Sequence, residues 1–279
     1  MAATIHRRRA GRWPPRWAAA SGSTRHLGAL HAVALLVLVL GGCSSGDWSP
    51  ADARRCSNCQ PVRCTHCRKV TFAAADGSVL GGVLWTATPA RPPSGPAVVV
   101  SNEYAAGQAG WGELPEHLRR HGYTVLTYDW RGLGASGGRF DPTKADQDLR
   151  AAVAYARQAR PTQVVLVGAS LGAMVTATQA AALHPVAIGL LSPARSFAGI
   201  TVNDQILRQL GMPKLLVTSD QDKAAQEATS IFQAAAPPKQ VVVYPGDAHG
   251  TQLLHGPHRA DVLARFDAWL GRYAPASRT

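Results

Sequence analysis

Val164-Val165-Leu166-Val167-Gly168-Ala169-Ser170-Leu171-Gly172 is the stretch on which the rest of the sequence turns. Four consecutive apolar residues, three of them β-branched, suit a strand covered on both faces, as in a parallel sheet. The following run from Leu171 to Leu183 carries no charged residue and reads as a buried helix. Between strand and helix lies G-x-S-x-G, Gly168 to Gly172. In that context the two glycines let strand and helix crowd around a sharp turn, and the Ser170 hydroxyl projects above the sheet edge. The start of the helix beneath it offers backbone N–H groups and a positive dipole end to a developing oxyanion.

Strand and helix alternate on both sides of this turn. Val70 to Ala74 and Val79 to Thr86, joined through Asp76-Gly77-Ser78, read as a hairpin at a sheet edge, and Thr88 to Pro96 as a Pro-rich surface loop. Strands are expected at 97–101, 124–128, 163–167, 186–191, 214–218 and 240–244. Helices are expected at 112–120, 144–157, 171–183, 223–235 and 257–272. Unbroken runs such as Val241-Val242-Val243 again suit strands covered on both faces. The alternation predicts a mostly parallel, doubly wound α/β sheet with an antiparallel edge hairpin. Only about 20 residues, with a short helical stretch near 203–210, separate the strands at 186–191 and 214–218. That leaves no room for a large lid. In such sheets ligands collect at the carboxyl ends of the strands.

The distinctive residues fall at those ends. A catalytic serine needs a base, and the base needs an orienting acid. The strand at 214–218 runs into Ser219-Asp220-Gln221-Asp222, and the strand at 240–244 into Pro245-Gly246-Asp247-Ala248-His249-Gly250. Of the ten histidines, His249 is the one placed directly after a strand; His255 and His258 read as surface residues. A further turn, Tyr128-Asp129-Trp130-Arg131-Gly132-Leu133-Gly134-Ala135-Ser136, fits D-x-R-G-x-G-x-S.

Together these motifs resemble the α/β-hydrolase superfamily over about residues 70–272, and compact esterase- and peptidase-like members in particular, including dienelactone-hydrolase-like proteins with a serine nucleophile. The resemblance implies Ser170 as nucleophile, Asp222 as the acid with Asp220 as fallback, and His249 as the base. Asp222 also suits an N-cap of the following helix. Asp129 and Arg131 are expected to brace loops. The oxyanion donors implied are the backbone N–H of Leu171 and that of Glu103 or Tyr104. The segment Ser101-Asn102-Glu103-Tyr104 departs from the family's usual H-G-x-x, and a carboxylate aimed at the oxyanion would oppose its charge. Glu103 is therefore expected to turn away into a hydrogen bond. Asn102 would either donate from its side chain or pack the loop. The implied chemistry is hydrolysis of a small ester, amide or thioester with no catalytic cofactor. The rival class is a non-catalytic binding or scaffolding module, favoured by the altered Glu103 loop and by a cysteine cluster near the front.

The formal charge is +12 over 279 residues, but residues 1–42 hold six arginines and no acid. Residues 71–279 carry 18 bases and 15 acids, a poor footprint for binding a phosphate backbone, so nucleic acid is not an expected partner. An apolar content of 46% excludes a disordered chain. The arginines precede the apolar run Ala32–Leu40 and Gly41-Gly42-Cys43, the layout of a secretory signal and too short for a comfortable membrane span. Leu40-Gly41-Gly42-Cys43 resembles the bacterial lipobox, which implies cleavage before Cys43, lipidation of its thiol and a membrane-anchored protein of the cell envelope. An uncleaved anchor or a plain secretory signal are the alternatives. Three regions follow: a signal peptide at 1–42, a tether with paired cysteines at 43–69, and a catalytic domain at 70–279. In the tether, Cys56-x-x-Cys59 and Cys64-x-x-Cys67 could wrap a structural zinc through four thiolates, with His66 as a spare ligand. Two disulfides are the equal alternative beyond a membrane.

Overall fold

Eight strands form one sheet, in the order β1-β2-β4-β3-β5-β6-β9-β10. They are β1 (Cys67–Ala73), β2 (Val79–Trp85), β3 (Ala97–Ser101), β4 (Thr124–Tyr128), β5 (Val164–Ala169), β6 (Ala187–Leu191), β9 (Lys214–Ser219) and β10 (Lys239–Tyr244). A separate hairpin pairs β7 (Ser196–Phe197) with β8 (Ile200–Thr201). The helices are α1 (Leu114–Arg120), α2 (Ala145–Gln158), α3 (Leu171–Leu183), α4 (Asp204–Gln209), α5 (Ala225–Ala234) and α6 (Arg259–Tyr273). The computed structural model describes residues 64–87 and 95–276, with Cys59 and Val62. The expected signal peptide, the lipidation site Cys43, Cys56 and most of the 88–96 loop lie outside the described residues. No helix among those described is long and apolar enough to cross a membrane.

β1 pairs antiparallel with β2, and β2 antiparallel with β4; the remaining sheet pairings are parallel. This is the expected α/β-hydrolase architecture with its edge hairpin. Residues alternate between two buried layers. Val99 and Leu166 face one layer with Leu149 of α2, Met174 of α3, Leu207 of α4 and Phe232 of α5. Val98, Val100, Val165 and Val167 face the other with Leu118 of α1 and Phe266 and Trp269 of α6. Each such side chain, fully withdrawn from water, contributes about 1.5–3 kcal/mol. Between β6 and β9 lie only the small β7–β8 hairpin and α4, so among the described residues no lid domain is inserted there.

Some expectations need correction. Val241 and Val243 are not covered: β10 ends the sheet, and they are 46% and 47% exposed. The helix expected over 112–120 begins at Leu114, and a 3-10 turn at Gln108–Trp111 precedes it. Cys64 and Cys67 are joined in a disulfide, while Cys59 is a half-buried free thiol. A sulfur in a disulfide is not a thiolate ligand, so Cys64 and Cys67 do not supply half of a four-thiolate zinc site in this structure. Both pack against the α1–α6 layer at the start of β1.

The D-x-R-G-x-G-x-S turn braces the loops as anticipated. Buried Asp129 accepts from Gln108 N and Nε2 at 2.8 Å and from Ala135 N at 2.9 Å. Arg131 donates to Asp148 on α2 and to Asp76 in the β1–β2 turn. Burial pushes the Asp148 carboxyl above its ordinary value despite the opposing Arg131 hydrogen bonds.

Candidate active site

Ser170 follows β5 directly and is the N-cap of α3, with φ 50° and ψ −113°. Left-handed backbone at a residue other than glycine stores strain, which the surroundings must hold in place. They do so from both sides: Ser170 N donates to Leu191 O at 2.8 Å, and Met174 N donates to Ser170 O at 3.1 Å. The glycines of the motif are sterically required. A Cβ on Gly168 would overlap the carbonyl of Gly172, and one on Gly172 would overlap the carbonyl of Ser101.

The loop after β3 lies against this turn, with Gly172 N donating to Asn102 O at 3.0 Å. Asn102 is buried and spends both ends of its side chain on packing: Nδ2 donates to Tyr128 O and Oδ1 accepts from Trp111 Nε1, each at 2.8 Å. It holds the loop rather than serving as an extra oxyanion donor. Trp130 Nε1 donates to the carbonyls of Asn102 and Glu103 at 3.2 and 3.1 Å, fixing the peptide units beside the serine. The Glu103 carboxylate turns away as expected, accepting from Thr251 N at 2.6 Å and Thr251 Oγ1 at 3.0 Å.

The acid and base loops meet beyond β9 and β10. Both oxygens of Asp222 lie within hydrogen-bonding distance of His249 Nδ1, at 3.0 and 2.9 Å. Asp222 is only 7% exposed. It also accepts from Ala224 N at 3.1 Å in the turn before α5, but the N-cap of that helix is Ala224, so Asp222 does not fill the capping role. Asp220, the fallback, is exposed and bonds Gly246 N at 2.9 Å instead of the histidine. A carboxylate only accepts, so Nδ1 carries a proton and Nε2 remains for chemistry. His249 N donates to Gln252 Oε1 at 3.0 Å, which anchors the loop. Among the described residues no hydrogen bond joins the Ser170 hydroxyl to His249; such contacts commonly tighten when substrate binds. Exposed His255 bonds Gly110 O, and half-buried His258 bonds Pro245 O; neither joins the pair.

The electrostatics favour an ion-like Asp–His couple. Burial works against a charged His249, but the Asp222 hydrogen bond and charge, with a further contribution from Glu103, lift it above its ordinary value. Burial likewise opposes the charged form of Asp222, while His249, the Ala224 N–H and the Ser192 hydroxyl outweigh it and lower its pKa.

Two residues at the site escaped the sequence. Ser192, fully buried with φ 46°, directly follows β6; its hydroxyl accepts from Gly250 N at 3.0 Å and contacts Asp222. Its place at the carboxyl end of a parallel strand was the available signal. Phe197, 44% exposed on the β7–β8 hairpin, packs edge-on to Tyr104 of the loop after β3, which also packs edge-on to Phe140. Left-handed residues outside glycine recur at Ala105, Ser170 and Ser192, after β3, β5 and β6. Such strain clusters where a fold supports function.

Residues 98–211 match the family model of the Alpha/beta hydrolase family. An uncharacterized protein of Mycobacterium tuberculosis is 30% identical over 275 residues, spanning 88% of this chain and 96% of that protein. Among solved structures, the esterase Pf2001 of Pyrococcus furiosus superposes with a TM-score of 0.62 at 19% identity, covering 82% of this chain and 95% of that one. XC6422 of Xanthomonas campestris, a serine hydrolase without a lid, superposes at 0.61 with 22% identity over 78% and 100% of the two chains.

Proposed function

The chain belongs to the alpha/beta hydrolase family, and from that membership we propose that it is a serine hydrolase cleaving small or exposed esters, with amides and thioesters as chemical relatives. The observation that carries this is the Asp222–His249 pair at the carboxyl end of a sheet whose central strand ends in the strained Ser170. His249 Nε2 takes the Ser170 proton as Oγ attacks the carbonyl carbon. Asp222 holds the imidazole in the required tautomer and stabilises the imidazolium. The N–H groups of Leu171 and Glu103 receive the tetrahedral oxyanion. The imidazolium then protonates the departing alcohol, and water, activated by His249, releases the acid and regenerates Ser170. This chemistry needs no cofactor. An unlidded edge bordered by Tyr104 and Phe197 suits a small substrate, or an ester on the surface of a larger one.

The non-catalytic alternative drew on the altered Glu103 loop and the cysteine cluster; engagement of the Glu103 carboxylate with Thr251 weakens the first of these. A fluorophosphonate probe, which phosphonylates activated serines, separates the two. The wild-type protein should label and Ser170→Ala should not. A folded wild type that stays unlabelled would sink the hydrolase assignment.

The front of the chain supports anchorage in a bacterial cell envelope, through a lipid on Cys43 after removal of residues 1–42, with the membrane as the lasting partner. Cys43→Ser is expected to move the protein from the membrane fraction to the soluble one. Retention in membranes would rule out the lipid as anchor.

A further inference from the structure

Away from the catalytic loops, two histidines one helical turn apart face a carboxylate from another helix. His117 lies in α1, His121 caps its end, and Asp267 lies in α6. One ligand atom from each falls within 4.8 Å of the others. His117 Nε2 is 2.9 Å from both Asp267 oxygens, and the two imidazole rings are 4.4 Å apart. Nothing in the hydrolytic cycle uses them.

The tautomer of His121 is fixed by its neighbour. Its Nδ1 lies 2.8 Å from the His117 carbonyl oxygen, which can only accept, so Nδ1 bears the proton. Nε2 then holds an available lone pair. An imidazole oriented through one nitrogen by a backbone carbonyl and open at the other is the usual arrangement of a metal-ligating histidine. His117 meets Asp267 through a shared proton, and a cation can replace that proton between the same two groups. His117 and Asp267 are partly buried while His121 is exposed, so an ion could enter from solvent onto a partly shielded pair. The nearby Arg119 and Arg120 are engaged by Glu116 on the same helix. Two imidazoles and one carboxylate suit zinc and its borderline neighbours nickel, cobalt and copper; calcium and magnesium prefer oxygen throughout.

We propose that His117, His121 and Asp267 form a divalent transition-metal site, suited to zinc, that ties α1 to α6. Its ligands are drawn from neither the cysteines nor Ser170, Asp222 and His249. It would link the helix that follows the oxyanion loop to the helix that follows the histidine loop.

The test is thermal unfolding of the full chain, stripped of metal and then titrated with zinc chloride. With zinc at about 100 times its Kd, Tm should rise by roughly 5–10 °C. His121 is exposed, so His121→Ala should fold, and it should abolish the rise; Asp267→Asn should weaken binding by about tenfold or more. The zinc response, rather than the metal-free Tm, is the readout. Binding should fade below about pH 6 as the imidazoles protonate. The same zinc response in His121→Ala would assign binding elsewhere, such as the cysteines, and overturn the proposal. So would the absence of any zinc response in the wild type up to about 100 times a micromolar Kd.

Discussion

Asp222→Asn is expected to lower kcat/KM for ester hydrolysis by about 10⁴-fold with the fold intact. Both carboxylate oxygens face His249 Nδ1, so an amide in their place would offer an N–H to that nitrogen. Nδ1 would then have to accept, which moves the ring proton to Nε2 and removes the base from Ser170. An amide oxygen still accepts from Ala224 N, so the local structure has no reason to fail. The pH profile carries a second sign. Only neutral imidazole can take the serine proton, and His249 is held above its ordinary value of about 6.5 by Asp222 and Glu103. The acid limb of kcat/KM in the wild type should therefore lie above about pH 6.5, and in Asp222→Asn the residual activity should extend to lower pH. Glu103→Gln should shift the limb in the same direction by less, with only a small loss of rate. Profiles measured with a p-nitrophenyl ester would show this. An unmoved limb in Asp222→Asn would mean that another group orients the histidine.

Gly172→Ala should cost more than about 4 kcal/mol of stability, near the upper end for a single substitution. The added Cβ would meet the carbonyls of Ser101 and Asn102, and neither is free to retreat. Ser101 is the last residue of β3 and fully buried, and Asn102 O already accepts from Gly172 N. Gly271→Ala is the matched control: it lies in α6, nothing stands within 4 Å of the added atom, and helix propensity alone should make it neutral or stabilising by up to about 1 kcal/mol. Urea denaturation of the two variants gives the comparison. Similar midpoints would show that the strand–helix crossing can spread to admit a methyl group.

The elements that were legible in the sequence carry their signal locally. The helix from Leu171 to Leu183 begins and ends where its composition predicts, because the G-x-S-x-G turn sets its start. The pairing of Asp222 with His249 was legible because each lies in the loop that follows a strand, β9 and β10. What the sequence hid depends on position in space. Val241-Val242-Val243 reads like the central strands, yet β10 closes the sheet and leaves alternate residues in solvent; strand order is invisible to a local window. The two-residue strands of the β7–β8 hairpin are too short to show any periodicity. Ser192 is an ordinary polar residue by sequence, and its role arises from a partner 58 residues away.

The two buried layers divide the site between them. Ser170 and Asp222 precede α3 and α5, which pack on one face of the sheet. The Asn102–Glu103 loop and His249 precede α1 and α6, which pack on the other. The proposed catalytic array is therefore complete only when both faces of the sheet are clad. Among the described residues the α1–α6 side has two helices and the opposite side four, so the thinner cladding can peel first while most of that helical signal survives. Under gradual denaturation, turnover would then vanish ahead of the loss of helix, and enzyme activity would be the more sensitive gauge of the intact molecule.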